Sequence, residues 1–257
     1  MRVAVFSDVH SNFYALKAAL EEIRTASVER VVFLGDLLTY GCDVNSTIEL
    51  LQEFSDSAHV NFVYGNHDKI YFDKQDGEIY KYKPFPLFLD ESICYTHDTL
   101  GCRLKEEFDW KQSLIIEKVF FSHANTLGND NWSYLNSTEE LQKAGMDLTQ
   151  QSLSGGVFGH THRSKIHRYS SSGLLSEQPC RYLHQCNEHE VFIANAGSIG
   201  QPRGKDASYL LLEFMSSSIL IEQCFFGYEV EKHINSIVRS KLSQATKNKL
   251  MSFFKRV

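Results

Sequence analysis

Five short apolar runs in this chain each end in side chains able to bind a metal ion. Val3-Ala4-Val5-Phe6 leads into Ser7-Asp8-Val9-His10, and Val31-Val32-Phe33-Leu34 into Gly35-Asp36. Val60-Asn61-Phe62-Val63-Tyr64 leads into Gly65-Asn66-His67-Asp68, Val119-Phe120-Phe121 into Ser122-His123, and Val157-Phe158 into Gly159-His160-Thr161-His162. A short continuous apolar run reads as a strand buried on both faces. In an open α/β sheet, side chains at the carboxyl ends of strands look into one crevice, where such sheets bind ligands. The pattern therefore constrains fold and site together.

Between these runs the periodicity turns helical. Asn12 is placed to cap a helix in which Leu16, Ala19, Leu20 and Ile23 share one face. A second helix is expected over 44–54, with Ile48, Leu51 and Phe54 inward. Strand–helix alternation implies right-handed crossovers and a largely parallel start to the sheet. Residues 69–117 are polar, rich in Tyr and Lys and interrupted by Pro84 and Pro86; they read as helical pieces forming a cap-like insertion at the mouth of the site. Ser137 and Glu140 form a capping-box pattern that opens a further helix. After His162, strand-like runs at 164–169, 190–195, 207–214 and 218–227 suggest a second, mostly antiparallel sheet. The polar linker 170–189 reads as a long surface loop or hairpin tip, and 229–257 as a helical tail. The whole chain, 1–257, reads as a single domain.

Composition excludes several classes. With 42% hydrophobic and 23% charged residues, the chain can bury a core in water. A formal charge of −6 gives no general attraction to nucleic acid. Six basic and no acidic residues fall between Arg239 and Val257, yet they alternate with apolar positions as on the solvated face of a packed helix. No apolar stretch approaches the ~20 residues that span a bilayer. The six cysteines form no C-x-x-C pair and read as reduced thiols. The first residues enter a strand at once, so no signal peptide is expected, and the location expected is the cytoplasm.

The crevice would collect Asp8, His10, Asp36, Asn66, His67, His123, His160 and His162. Without a cysteine, this mixture of imidazole, carboxylate and amide oxygen suits manganese, iron, zinc, cobalt or nickel. These are too many ligands for one ion with open positions and enough for two that share a carboxylate. Paired ions roughly 3.5–4 Å apart clamp the attacking and leaving oxygens of a displacement at phosphorus.

In this order, D-x-H, G-D, G-N-H-D, a lone His and G-H-x-H, the chain resembles the calcineurin-like metallophosphoesterase superfamily, over residues 8–162. More narrowly it is similar to the small bacterial branch related to the YfcE phosphodiesterase and the diadenosine-tetraphosphatase-like proteins. That likeness rests on Gly35-Asp36-Leu37-Leu38-Thr39-Tyr40-Gly41, on Gly159-His160-Thr161-His162-Arg163 and on the stretch from Asn195 to Arg203. The resemblance implies an α/β fold, a four-layer α/β/β/α sandwich of two mixed sheets. It implies that Asp8, His10 and His162 hold one metal, that Asn66, His123 and His160 hold another, and that Asp36 bridges them. A hydroxide between the ions would attack phosphorus, His67 would protonate the leaving oxygen or stabilise charge on the phosphoryl group, and Asp68 would orient His67. The implied cofactors are two divalent or mixed-valence metal ions, manganese first, with Fe, Zn, Ni or Co as alternatives.

The expected substrate is a small phosphomonoester or phosphodiester. A narrower alternative is a nucleotide: a dinucleoside polyphosphate, a cyclic nucleotide or an RNA end. A scaffold that kept the fold and lost the chemistry is the rival from another class, disfavoured because every motif histidine is present. Arg203 is a candidate for substrate binding, since guanidinium matches phosphate at two points. Cys42 and Ala196 stand where the family often has proline, which bears on the rim of the site. His59, His97, His167, His184 and His189 match no motif and read as surface or packing residues.

Overall fold

The computed structural model describes residues 1–78, 84–128, 130–204 and 206–254. The opening apolar run becomes β1 (Arg2–Phe6), which lies inside a seven-stranded sheet. On one side β2 (Arg30–Phe33), β3 (Val60–Val63) and the short β4 (Trp110–Lys111) follow it in parallel. On the other side β12 (Ala207–Phe214), β13 (Ser218–Phe226) and β10 (Arg181–Gln185) pair antiparallel. The second sheet runs, across its width, β5 (Ser113–Ile116), β6 (Val119–Ser122), β7 (Gly155–Phe158), β11 (Glu190–Asn195), β8 (Lys165–Ser170) and β9 (Leu175–Gln178). Within it β6, β7 and β11 are parallel.

Strand alternation sorts the core into layers. Val3 and Val5 of β1, with Val32 of β2 and Leu34 just beyond it, face the second sheet and pack with Phe121, Val157 and Phe192. Ala4, Phe6, Val31 and Phe33 face the other way, onto α1 (Phe13–Thr25) and α2 (Val44–Ser57). On the far side, α6 (Thr138–Gln150) lays Leu141, Ala144 and Leu148 on Phe158, Tyr169 and Ile193. The order is helix, sheet, sheet, helix, the four-layer sandwich that the motifs implied. Both caps legible in the sequence are formed: Asn12 Oδ1 accepts from Ala15 N, and Ser137 and Glu140 close a capping box.

Two expectations need correction. The strands after His162 do not make a sheet of their own: β8, β9 and β11 extend the second sheet, whereas β10, β12 and β13 extend the first. The linker 170–189 is not simply a loop, because it carries β9 and β10. Both are edge strands, and in β10 His184 alone is fully buried, so their polarity hid them from a reading based on apolar runs.

The insertion expected over 69–117 includes residues 79–83, which lie outside the described residues. Around it stand α3 (Asn66–Asp76), α4 (Leu87–Thr99) and α5 (Leu104–Glu107). The tail forms α7 (Val230–Arg239) and α8 (Gln244–Ser252), which pack through Ile237, Leu242 and Leu250 against Phe88 and Tyr95 of α4. Lys255 and Arg256 of the basic tail also lie outside the described residues. No helix among the described residues is long and apolar enough to cross a membrane.

Candidate metal centre

The five apolar runs end side by side, and their last residues turn sharply to aim side chains inward. Asp8, His10, Asp36, His160 and His162 all adopt left-handed backbone with φ between 52° and 64°. Non-glycine residues rarely do so, and such strain gathers where function requires one geometry. Two loops are pressed together to make this possible. A Cβ on Gly35, at φ 86°, would lie 2.2 Å from Gly65 N, and one on Gly65 would lie 2.2 Å from Asp36 Oδ1. Only glycine at both positions lets the strand ends approach so closely.

Two groups of donor atoms result, each within 4.8 Å: Asp8, His10, Asp36 and His162 in one, Asp36, His123 and His160 in the other. Asp36 belongs to both. Its Oδ2 lies 3.8 Å from His10 Nε2 and 3.4 Å from His123 Nε2. Asn66 Oδ1 joins the second group, 3.2 Å from His123 Nε2. All of these but Asn66 are buried.

Each of the four histidines uses its far nitrogen on a backbone carbonyl. His10 Nδ1 meets Leu38 O at 3.1 Å, His123 Nδ1 meets Leu34 O at 2.6 Å, His162 Nδ1 meets Gln201 O at 2.7 Å and His160 Nε2 meets Trp132 O at 3.0 Å. A carbonyl only accepts, so each of these nitrogens carries the proton and the other is left with a lone pair when the ring is neutral. Those lone pairs face one another: His10 Nε2 and His162 Nε2 are 3.1 Å apart, His123 Nε2 and His160 Nδ1 3.2 Å. Asp8 Oδ1 points into the same space without a hydrogen bond. Converging lone pairs and an orphaned carboxylate oxygen repel unless positive charge sits between them. The donor set thus fits divalent cations, and the carbonyls orient it as second-layer partners do in metal sites.

The electrostatics agree. Burial pushes Asp8 up, but the His162 imidazole outweighs it and holds the carboxyl well below its usual range. Burial likewise pushes Asp36 up, and His123 and His67 together overcome it. Burial pushes His123 down, yet Asp36 lifts it to about 9. His160, buried beside the His123 charge, falls to about 3.

The N-terminal half of the assembly, including the turn after Asp36, is held by a carboxylate whose part differs from the expected one. The hydrogen bonds of the Asp68 carboxylate go to backbone N–H groups and not to the His67 ring. Its Oδ2 accepts from Asp36 N and Gly65 N, both at 2.7 Å, and its Oδ1 from Leu37 N at 2.9 Å. It ties the loop of Asp36 to the loop of Asn66. His67 Nδ1 instead meets Thr39 Oγ1 at 3.0 Å. Tyr40, which the sequence offers only as part of the Gly35–Gly41 stretch, packs its ring against both His10 and His67, with centroids at 4.8 and 5.1 Å. Phe253 from the end of the tail then packs on Tyr40. Tyr134 lies flat on His160 at 4.2 Å.

Arg203 is exposed at the rim, its N–H donating to His162 O at 3.0 Å and its carbonyl accepting from Arg163 Nη1. Asn195 braces the loop at Gly159, donating to its carbonyl at 2.5 Å. His97 pairs with the neighbouring Asp98, His59 and His189 are exposed, His167 is half-buried on β8 and His184 is buried.

The profile of the calcineurin-like phosphoesterase superfamily domain matches residues 1–217. The chain belongs to the calcineurin-like phosphoesterase superfamily. An uncharacterised protein of Methanocaldococcus jannaschii is 29% identical over 252 residues, 94% of each chain. Two solved structures share the fold of this superfamily member. A metallophosphoesterase from Sphaerobacter thermophilus matches with TM-score 0.73 and 20% identity over 98% of this chain and 99% of its own. A hypothetical protein from Pyrococcus horikoshii matches with TM-score 0.73 and 17% identity over 97% of both. The buried Asp/His groups of this phosphoesterase-superfamily chain are compatible with a metal site.

Proposed function

We propose that the protein hydrolyses a phosphomonoester or phosphodiester with the help of two divalent cations, manganese foremost. One observation carries this reading: a single carboxylate, Asp36, is shared by two groups of converging donors. Asp8, His10 and His162 would hold one cation, Asn66, His123 and His160 the other, and Asp36 both. Bound there, such a pair lowers the pKa of water and acts as a Lewis acid toward phosphoryl oxygens.

The chain's own residues do the rest. The backbone carbonyls of Leu34, Leu38, Trp132 and Gln201 fix the four ligand rings, so little reorganisation accompanies reaction. His67 stands beside His10, ring centroids 5.2 Å apart, and would protonate the leaving oxygen or stabilise charge on the phosphoryl group. Arg203, exposed on the loop that touches His162, is placed to bind a phosphate at the rim. The free state of all six cysteines supports a reducing compartment, the cytoplasm.

The test is turnover of p-nitrophenyl phosphate and its bis-ester by purified protein supplied separately with manganese, nickel, zinc or magnesium. Cleavage of neither ester under any of these conditions overturns the reading. A nucleotide substrate is the narrower form of it, favoured by Tyr134. That ring is stacked on His160 by one face and is still 40% exposed, which leaves an aromatic surface for a base. A panel of dinucleoside polyphosphates, cyclic nucleotides and RNA ends checks this; turnover no better than of p-nitrophenyl phosphate counts against it.

A further inference from the structure

Among the histidines of the centre, His67 turns its Nδ1 to a side-chain hydroxyl where His10, His123 and His162 turn theirs to backbone carbonyls. Its Nδ1 lies 3.0 Å from Thr39 Oγ1, and Thr39 Oγ1 lies 2.6 Å from the phenol of Tyr71. All three are buried, Thr39 and Tyr71 completely. The nearby carboxylate of Asp68 is taken up by three backbone N–H groups and leaves this task to the hydroxyl. Thr39 is also held at φ 77°, a conformation β-branched residues avoid, so the fold keeps it there against its preference.

The direction of the hydrogen bonds matters. A carboxylate can only accept, so a carboxylate partner would force the proton of a neutral ring onto Nδ1 and leave Nε2 bare. A hydroxyl can donate. Tyr71 is fully buried, a phenol there keeps its proton, and its hydroxyl meets the hydroxyls of both Thr39 and Thr96. With the phenol accepting from Thr96 and donating to Thr39, the threonine proton is free to go to His67 Nδ1. The ring then carries its own proton on Nε2, the nitrogen on the opposite edge.

We propose that Thr39, backed by Tyr71, is a positioning residue that sets the neutral ring of His67 in the Nε2–H tautomer and so presents a hydrogen-bond donor to the charge that develops on the leaving oxygen of the ester, the proton staying on the ring. The inference rests on the phosphoesterase reading for its consequence, but not for its geometry. Tyr71 lies on α3, five residues beyond Asn66, and Thr39 lies three residues beyond Asp36. The relay therefore joins the two loops that supply ligands to the second cation, behind the face where substrate would sit.

Two measurements on the full-length, zinc-loaded protein test it. Thr39→Val keeps the β-branch at the strained position and removes the hydroxyl; Thr39→Ser keeps the hydroxyl. The first measurement is the ring ¹⁵N–¹H correlation of His67, assigned by its loss in His67→Gln. The wild type and Thr39→Ser should show the Nε2–H tautomer, and Thr39→Val a shift toward Nδ1–H. An Nδ1–H ring in the wild type, or an unchanged tautomer in Thr39→Val, overturns the proposal. The second is turnover of esters whose leaving groups run from nitrophenol to simple alcohols. A poor leaving group needs the donor most, so Thr39→Val should slow the alkyl ester at least ~10-fold more than the nitrophenyl ester. KM should stay within ~3-fold, and Thr39→Ser should recover most of the loss. An equal loss across all esters, the mark of a merely structural role, overturns the proposal. A wild type that turns over no ester sinks the phosphoesterase reading instead, and the tautomer measurement still decides the role of Thr39.

Discussion

Replacing Asp68 by Asn probes the joint on which the centre is built. The carboxylate accepts three backbone N–H groups in a fully buried site: Asp36 N and Gly65 N on Oδ2, Leu37 N on Oδ1. Burial and the Asp36 charge push this carboxyl up to about 7 against the three donors, so the comparison is made at pH 8 or above, where it is a carboxylate. An asparagine of the same shape can keep its oxygen at the Oδ2 position and serve two donors. Each of those bonds then loses its charge assistance, ~1 kcal/mol apiece from the difference between charged and neutral hydrogen bonds. At the Oδ1 position an NH₂ would face Leu37 N–H, donor against donor, at a cost of ~1–3 kcal/mol for an unsatisfied buried group. The expected destabilisation is ~3–5 kcal/mol, large for a surface-neutral, isosteric change. Urea denaturation of chelator-stripped protein, followed by the fluorescence of Trp110 and Trp132, measures it without help from bound metal. Calorimetric titration of manganese then reads the same loss in the holoprotein, because the two tethered loops carry Asp36 and Asn66. If Asp68→Asn unfolds within ~1 kcal/mol of wild type and binds manganese unchanged, the three hydrogen bonds do not hold the loops and the reasoning fails.

Asp36→Asn should reduce bound metal from about two ions per chain to about one or none and cut turnover by ~10³-fold or more, several kcal/mol of lost stabilisation; elemental analysis showing two ions would refute the shared-carboxylate geometry. Gly65→Ala places a Cβ 2.2 Å from Asp36 Oδ1 and 2.8 Å from His123 Cε1, so it should weaken manganese binding ~10-fold or more by titration, with unchanged affinity as the contrary result. His184, buried between Tyr182 and Phe192 away from the centre, gives a pH effect of predictable sign. Burial lowers it to about 4, whereas the unfolded chain takes up this proton near 6.5. Its contribution is therefore complete above about pH 6.5 and lost as pH falls toward about 4; at ~1.4 kcal/mol per pH unit the loss is capped at ~3 kcal/mol. His184→Leu should flatten the stability–pH curve across that window, and a curve of unaltered slope would show that other groups set it.

What the sequence by itself determined is the set of strands and what stands at their ends. Apolar runs long enough for one buried strand, each closed by Asp, Asn or His, name the eight side chains from Asp8 to His162 that gather there before any coordinates are seen, because strand period and residue chemistry are local properties. The caps at Asn12 and Ser137 were legible for the same reason. The edge strands β9 and β10 were not: a strand with one neighbour keeps polar side chains, and its partner is chosen by a chain segment far away. The role of Asp68 was misplaced on the same account. Adjacency to His67 suggested a partnership, but successive residues at the start of a helix point about 100° apart, and Asp68 is turned back to the loop of Asp36. Tyr71 and the carbonyls of Leu34 and Trp132 carry no motif, and Thr39, Leu38 and Gln201 lie in quoted stretches that say nothing of these contacts. Only the tertiary structure decides them, because a hydroxyl or a peptide oxygen is in every chain, and it becomes a partner to an imidazole only where packing brings the two within 3 Å or so of each other.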